Sequence, residues 1–126
     1  MKPRDVRLDA KPSTYTKDYW MHAWAPGADH DEHVGAWIIE VPSDFIDIWW
    51  DRIRNQVQCG RLGHSALVST ALRHSVVPTD GFVIVVGVTG DPGQVAYQLA
   101  RLGLKPTRFD KDGVPRPSQN HPEAAT

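Results

Sequence analysis

Apolar residues recur at every fourth position in Phe45, Trp49, Ile53 and Val57, with Ile46 and Trp50 widening the stripe. Side chains four apart share one face of a helix, so the pattern predicts an amphipathic helix. Pro42-Ser43 opens it, with Ser43 as N-cap and Asp44 and Asp47 in the first turn, where carboxylates offset the dipole. Gly60 supplies a C-terminal stop. A second helix is predicted after Asp91, with Pro92 at its first position and Gln94 completing a D-x-x-Q capping pattern. Val95, Leu99 and Leu102 line its inner face, and Gly103 ends it.

Outside these helices the period changes from helical to alternating. In Tyr19–Ala25 the residues Tyr19, Met21 and Ala23 alternate with Trp20, His22 and Trp24, and Pro26-Gly27 breaks the run. Gly35–Val41 is a second strand, and the loop joining the two predicts an antiparallel hairpin. His64–Ala71 predicts a third strand, followed by a connection containing Pro78 and Asp80-Gly81. Phe82–Val88 is apolar throughout, as a central strand buried on both faces would be. Lys105–Phe109 fits a short last strand, with Pro106 favouring an edge. The order β-β-α-β-β-α-β predicts an α+β domain, its two helices packed on one face of a mostly antiparallel sheet. Residues 1–18 carry no period and are expected as a loose arm, and 19–111 as the single domain. The tail 112–126 has three prolines and is expected to be disordered.

Composition narrows the function classes. A chain of 126 residues holds one hydrophobic core without staples. Its net charge of −1 supplies no global field, which argues against extensive nonspecific nucleic-acid binding. Cys59 is the single cysteine, so there is neither an internal disulfide nor a cysteine-based metal cluster. No stretch reaches the ~18 apolar residues of a membrane span, and the polar N-terminus does not read as a signal peptide. A cytoplasmic protein without membrane contact is expected; a homodimer is compatible with the sequence. All five tryptophans fall between residues 20 and 50. Trp37, Trp49 and Trp50 hold strand and helix-stripe positions where core packing is the better reading. Trp24, ending the first strand beside Pro26-Gly27, suits core and ligand contact equally.

Several local motifs carry a family resemblance: the Gly35-Ala36-Trp37 strand start, the Phe45/Trp49 helix, and the Gly60-Arg61-Leu62-Gly63 turn with Ser69-Thr70 after it. Leu102-Gly103 completes the set. Across roughly residues 19–110 the chain resembles the basophilic leukaemia-expressed protein family. The resemblance implies a fold similar to the eukaryotic cap-binding initiation factor, a curved sheet backed by helices. Some members of the family carry the description phosphothreonine lyase domain. The cap-binding fold clamps a methylated guanine between two tryptophans, and Trp24 is the best equivalent of one. The second belongs in the loop after His64–Ala71, yet LRHSVVPTDG contains no aromatic residue.

Three further clusters bear on chemistry. Asp29-His30-Asp31-Glu32-His33 could ligate a divalent metal through His30 and His33, but adjacent loop residues rarely converge. A solvated loop tip is favoured; no metal and no cofactor are expected. Arg61, His64, Thr70 and Arg73 could hold a phosphate by charge-assisted bonds if His64 and Thr70 share a strand face, or they could be ordinary polar cover. Phosphothreonine elimination needs a base for the α-proton, normally a lysine. Lys105 with His64 or His22 is the one catalytic pair the chain allows. Thr89–Gly93 lacks the lysine of a P-loop and reads as a helix cap.

The leading expectation is therefore a small binding domain for a nucleotide or another phosphorylated small molecule or peptide, held on the open sheet face by Trp24, Arg61, His64, Thr70 and Arg73. The alternatives are a phosphothreonine-lyase-like enzyme and a protein–protein interaction module without small-molecule chemistry.

Overall fold

A computed structural model describes residues 11–27, 35–76 and 81–111. They form β1 (Trp20–Trp24), β2 (Gly35–Pro42), α1 (Ile46–Gln58), β3 (Ser65–Ser69), α2 (Ala71–Val76), β4 (Gly81–Val88), α3 (Pro92–Leu102) and β5 (Arg108–Asp110). The five strands make one antiparallel sheet in the order β1-β3-β4-β2-β5. The α+β class and the central place of the all-apolar Phe82–Val88 segment follow the expectation.

The expected hairpin between the first two strands does not form. β1 pairs with β3 and β2 with β4, so β4 separates the two halves. Loop length permits a hairpin but does not choose a partner. Strand β4 is apolar along both faces, and it is buried by taking a neighbour on each side.

The first helix also starts later than its cap residues suggest. Residues 43–45 make a turn in which Phe45 N–H donates to the Pro42 carbonyl at 3.0 Å. Ser43 therefore does not cap, and Phe45 stands 53 % exposed. The buried stripe is Ile46, Trp50, Ile53 and Val57. A strict four-residue repeat drifts ~40° per step around a 3.6-residue turn, whereas the i, i+4, i+7, i+11 series stays on one line. A third helix, α2, occupies the start of the expected β3–β4 connection. β5 is shorter than predicted, which leaves Lys105 in a loop.

Strand alternation divides the large residues between two faces. Met21, Ala23, Ile39, Val41, Ala66, Val68, Phe82, Ile84, Val86 and Val88 meet the α1 stripe and Val95 and Leu99 of α3 in one cluster. Burying a large aliphatic side chain is worth ~1.5–3 kcal/mol, so this layer supplies most of the driving force. Trp37 belongs to the same side: its Nε1 donates to the Pro92 carbonyl at 2.8 Å, fastening β2 to the start of α3. Trp50 is 2 % exposed, and Trp49 packs beneath the α3 terminus, 3.3 Å from where a Cβ on Gly103 would lie. Gly103 itself has φ +101°, the left-handed cap that a glycine permits.

The opposite face holds a smaller cluster of Ala36, Ile38, Leu67 and Val85, with Trp20 and Val83 against it and no helix residue. The segment 11–18, expected as part of a loose arm, is tied down where described. Ser13 donates its N–H at 3.0 Å and its hydroxyl to the two Asp47 carboxylate oxygens of α1. Ala71 N–H reaches the Pro12 carbonyl, and Leu72 N–H that of Tyr15. Residues 1–10 and the tail 112–126 lie outside the described residues. Among those described, no helix is long and apolar enough to cross a membrane.

Candidate functional site at the β1 edge

β1 is an edge strand whose register sets Trp20 opposite Ser69, His22 opposite Leu67 and Trp24 opposite Ser65. Because Met21 and Ala23 point into the helix-covered core, Trp20, His22 and Trp24 all stand on the other face. Each of these three rings is part-exposed. His22 stacks on Trp24 at 6.1 Å with an interplanar angle of 18°. His64 meets the same indole edge-on, at 5.9 Å and 90°.

The backbone explains why His64 is there. Its N–H donates to the Gly87 carbonyl at 2.8 Å, and its own carbonyl accepts from Ala25 N–H at 3.0 Å, locking the turn between β4 and β1. Gly63 precedes it at φ +60°, and a Cβ there would come within 2.8 Å of the Gly87 oxygen. Only glycine fits that approach without strain. His64 is buried as a result.

At the other end of β1 the guanidinium of Arg73, on α2, lies over the Trp20 ring at 4.8 Å from its centroid. Such cation–π contacts are worth ~0.5–1 kcal/mol at exposed sites and more when desolvated. Arg73 is half-buried, and no carboxylate among the described residues pairs with it. Burial alone therefore acts on its charge, pulling its pKa below the ordinary arginine value. Thr70 sets this geometry. Its hydroxyl donates to the Asp18 carbonyl, has the Tyr19 carbonyl at 3.2 Å, and accepts from Arg73 N–H at 3.3 Å.

The remaining candidates separate. Thr70 and His64 do not share a strand face as expected: both lie just outside β3, at its opposite ends, with roughly 20 Å of extended chain between them. One phosphate does not reach both. Thr70 is fully buried, and its hydroxyl is engaged in holding the chain. Arg61 is exposed on the turn after α1. A Cβ at the neighbouring Gly60 would sit 3.7 Å from Pro26 Cδ, which places this turn beside the Trp24 end of β1. Lys105 is exposed next to β5, across β4 and β2 from His64, about 14 Å away at the ~4.8 Å strand spacing. His22 lies farther still, so the lyase pair is not assembled. His30 and His33 lie outside the described residues, and among those described no group of His, Cys, Asp and Glu could hold a metal.

Comparison of the chain with protein-family models, with curated proteins and with solved structures finds no match.

Trp20 and His22 join a site that the sequence centres on Trp24. The signal was the alternation of Trp20, His22 and Trp24 with Met21 and Ala23, which already placed three rings on one side. What alternation does not reveal is that α2 follows β3 directly and swings Arg73 over Trp20.

Proposed function

We propose that this domain binds a nucleotide or another phosphorylated ligand along β1, on the sheet face away from α1 and α3. The observation that carries the reading is Arg73. A half-buried guanidinium costs solvation free energy that an anion would restore, and here it rests on an indole with no carboxylate beside it among the described residues. At the far end of the same strand, Trp24 and His22 offer a part-exposed indole and imidazole that can take up the aromatic part of a ligand, with the buried His64 packed edge-on against the indole. The similarity to the basophilic leukaemia-expressed proteins and to the cap-binding fold belongs to the same proposal. It is limited in one respect. Trp20 and Trp24 are four residues apart on a strand, about 13 Å, which is too far to sandwich one base.

Titration of the full chain with nucleoside mono- and triphosphates, followed by tryptophan fluorescence, tests the reading. A saturable change is expected for the native chain. Arg73→Met should weaken binding tenfold or more, since hydrogen bonds to charged groups are worth ~1.5–3 kcal/mol. The same titration of Trp24→Ala should give a much smaller signal. No change up to saturating concentrations of any phosphorylated ligand would contradict the proposal.

A further inference from the structure

We infer that the ligand is a short single-stranded oligonucleotide of two to three units laid along β1, with bases against Trp20 and Trp24 and backbone phosphates near Arg73 and the Arg61 turn. This deepens the reading above and rests on it.

The length of the ring track sets the size of the ligand. Rings occupy every second residue of β1, at Trp20, His22 and Trp24 on one face, which is a step of ~6.7 Å. That step is about twice the ~3.4 Å rise of a stacked strand and suits a chain whose bases have been drawn apart. A single nucleotide covers one end of this track and leaves the other uncontacted.

The placement of charge fits the same ligand. Arg73 lies at the Trp20 end, over the ring itself. Arg61 is carried on the turn beside the Trp24 end, where His64 also meets the indole. Two cationic ends separated by aromatic groups complement a ligand that repeats base and phosphate. A compact anion would need the cations together, and the fold holds them apart.

Net charge and base pairing limit the ligand. A net charge of −1 does not neutralise a long polyanion, and paired bases inside a duplex offer no face for rings to contact. Stacking tolerates any base, so the track selects strandedness and length rather than sequence.

Binding of end-labelled dT1, dT2 and dT3, of a matched duplex and of a phosphoserine peptide is measured by anisotropy on the full chain. Affinity should rise at least tenfold from dT1 to dT3, with the duplex and the peptide weaker than dT3. Trp20→Leu should remove the length gain, so that dT3 binds no more than twofold tighter than dT1 to that variant; Trp20→Phe should restore part of the gain. Circular dichroism confirms that both variants fold. Affinity for dT3 should also fall with salt at a log–log slope of about −0.7 per phosphate contacted. Equal affinity for dT1 and dT3 would overturn the oligonucleotide assignment and leave the phosphorylated-ligand reading standing, as would tighter binding of the phosphopeptide. No binding of any of these probes would overturn both.

Discussion

The helix-covered face of the sheet and the β1 edge use large side chains in opposite ways. Under α1 and α3, Ile39, Ile84, Val86, Ile53 and Leu99 are buried against one another, and even the polar atom of Trp37 is matched by the Pro92 carbonyl. Along β1 on the other face, Trp20, His22 and Trp24 remain part-exposed, and a guanidinium rests on an indole without a carboxylate among the described residues. Apolar burial on the first face lowers the free energy of the folded chain. The half-buried cation on the second face adds little to folding beyond its contact with the Trp20 ring.

Substitutions should separate the two faces, and the largest effect belongs to the helix-covered side. Trp50→Ala empties a site that is 2 % exposed and should destabilise by ~3–5 kcal/mol in urea unfolding, enough to threaten folding altogether. A loss under 1 kcal/mol would mean that this face is not the structural one. Gly63→Ala comes next. The backbone there is left-handed and the Gly87 oxygen lies 2.8 Å from the added carbon, so a loss of about 2 kcal/mol or more is expected from the same measurement. Thr70→Val removes a buried hydroxyl that ties the Asp18 carbonyl to α2 and should cost ~1–2 kcal/mol. Because that hydroxyl is already engaged, the variant should weaken ligand binding less than Arg73→Met; a larger loss of affinity would return Thr70 to the binding site. Arg73→Met is the smallest for stability. It gives up a cation–π contact of ~0.5–1 kcal/mol while relieving a partly buried charge, so the midpoint of unfolding should barely move as binding is lost.

How much of this was legible in the chain depends on the range of the interaction involved. Local signals carried the elements. The apolar run Phe82–Val88 located the central strand, and Asp91 with Pro92 located the start of α3, where the Asp91 carboxylate accepts from Gly93 N–H at 2.9 Å. The α1 boundary is masked in the sequence because Ser43 and Phe45 imitate a cap and a stripe, while burial favours Ile46 and Trp50 one residue later. Strand partners were not legible, since the pairing of β1 with β3 depends on which strands β4 recruits and not on the loop after β1. The site was half visible for the same reason. Trp24 and His64 each stood out by residue type and their contact was formed, but the stacking of Arg73 on Trp20 required a helix whose only local mark was Thr70 before Ala-Leu-Arg. Lys105 and His64 form a pair on chemistry alone, and two intervening strands keep them apart.

The five indole N–H resonances give the most direct test, because Trp37, Trp49 and Trp50 report on the helix-covered face and Trp20 and Trp24 on the other. Single substitutions assign the five signals in a nitrogen-15 spectrum, which is then followed as dT3 is titrated into the full chain. The signals of Trp20 and Trp24 should shift together and saturate while those of Trp37, Trp49 and Trp50 stay in place. Shifts confined to the latter three, or no shift at all, would contradict the division of the sheet into one face that folds and one edge that binds.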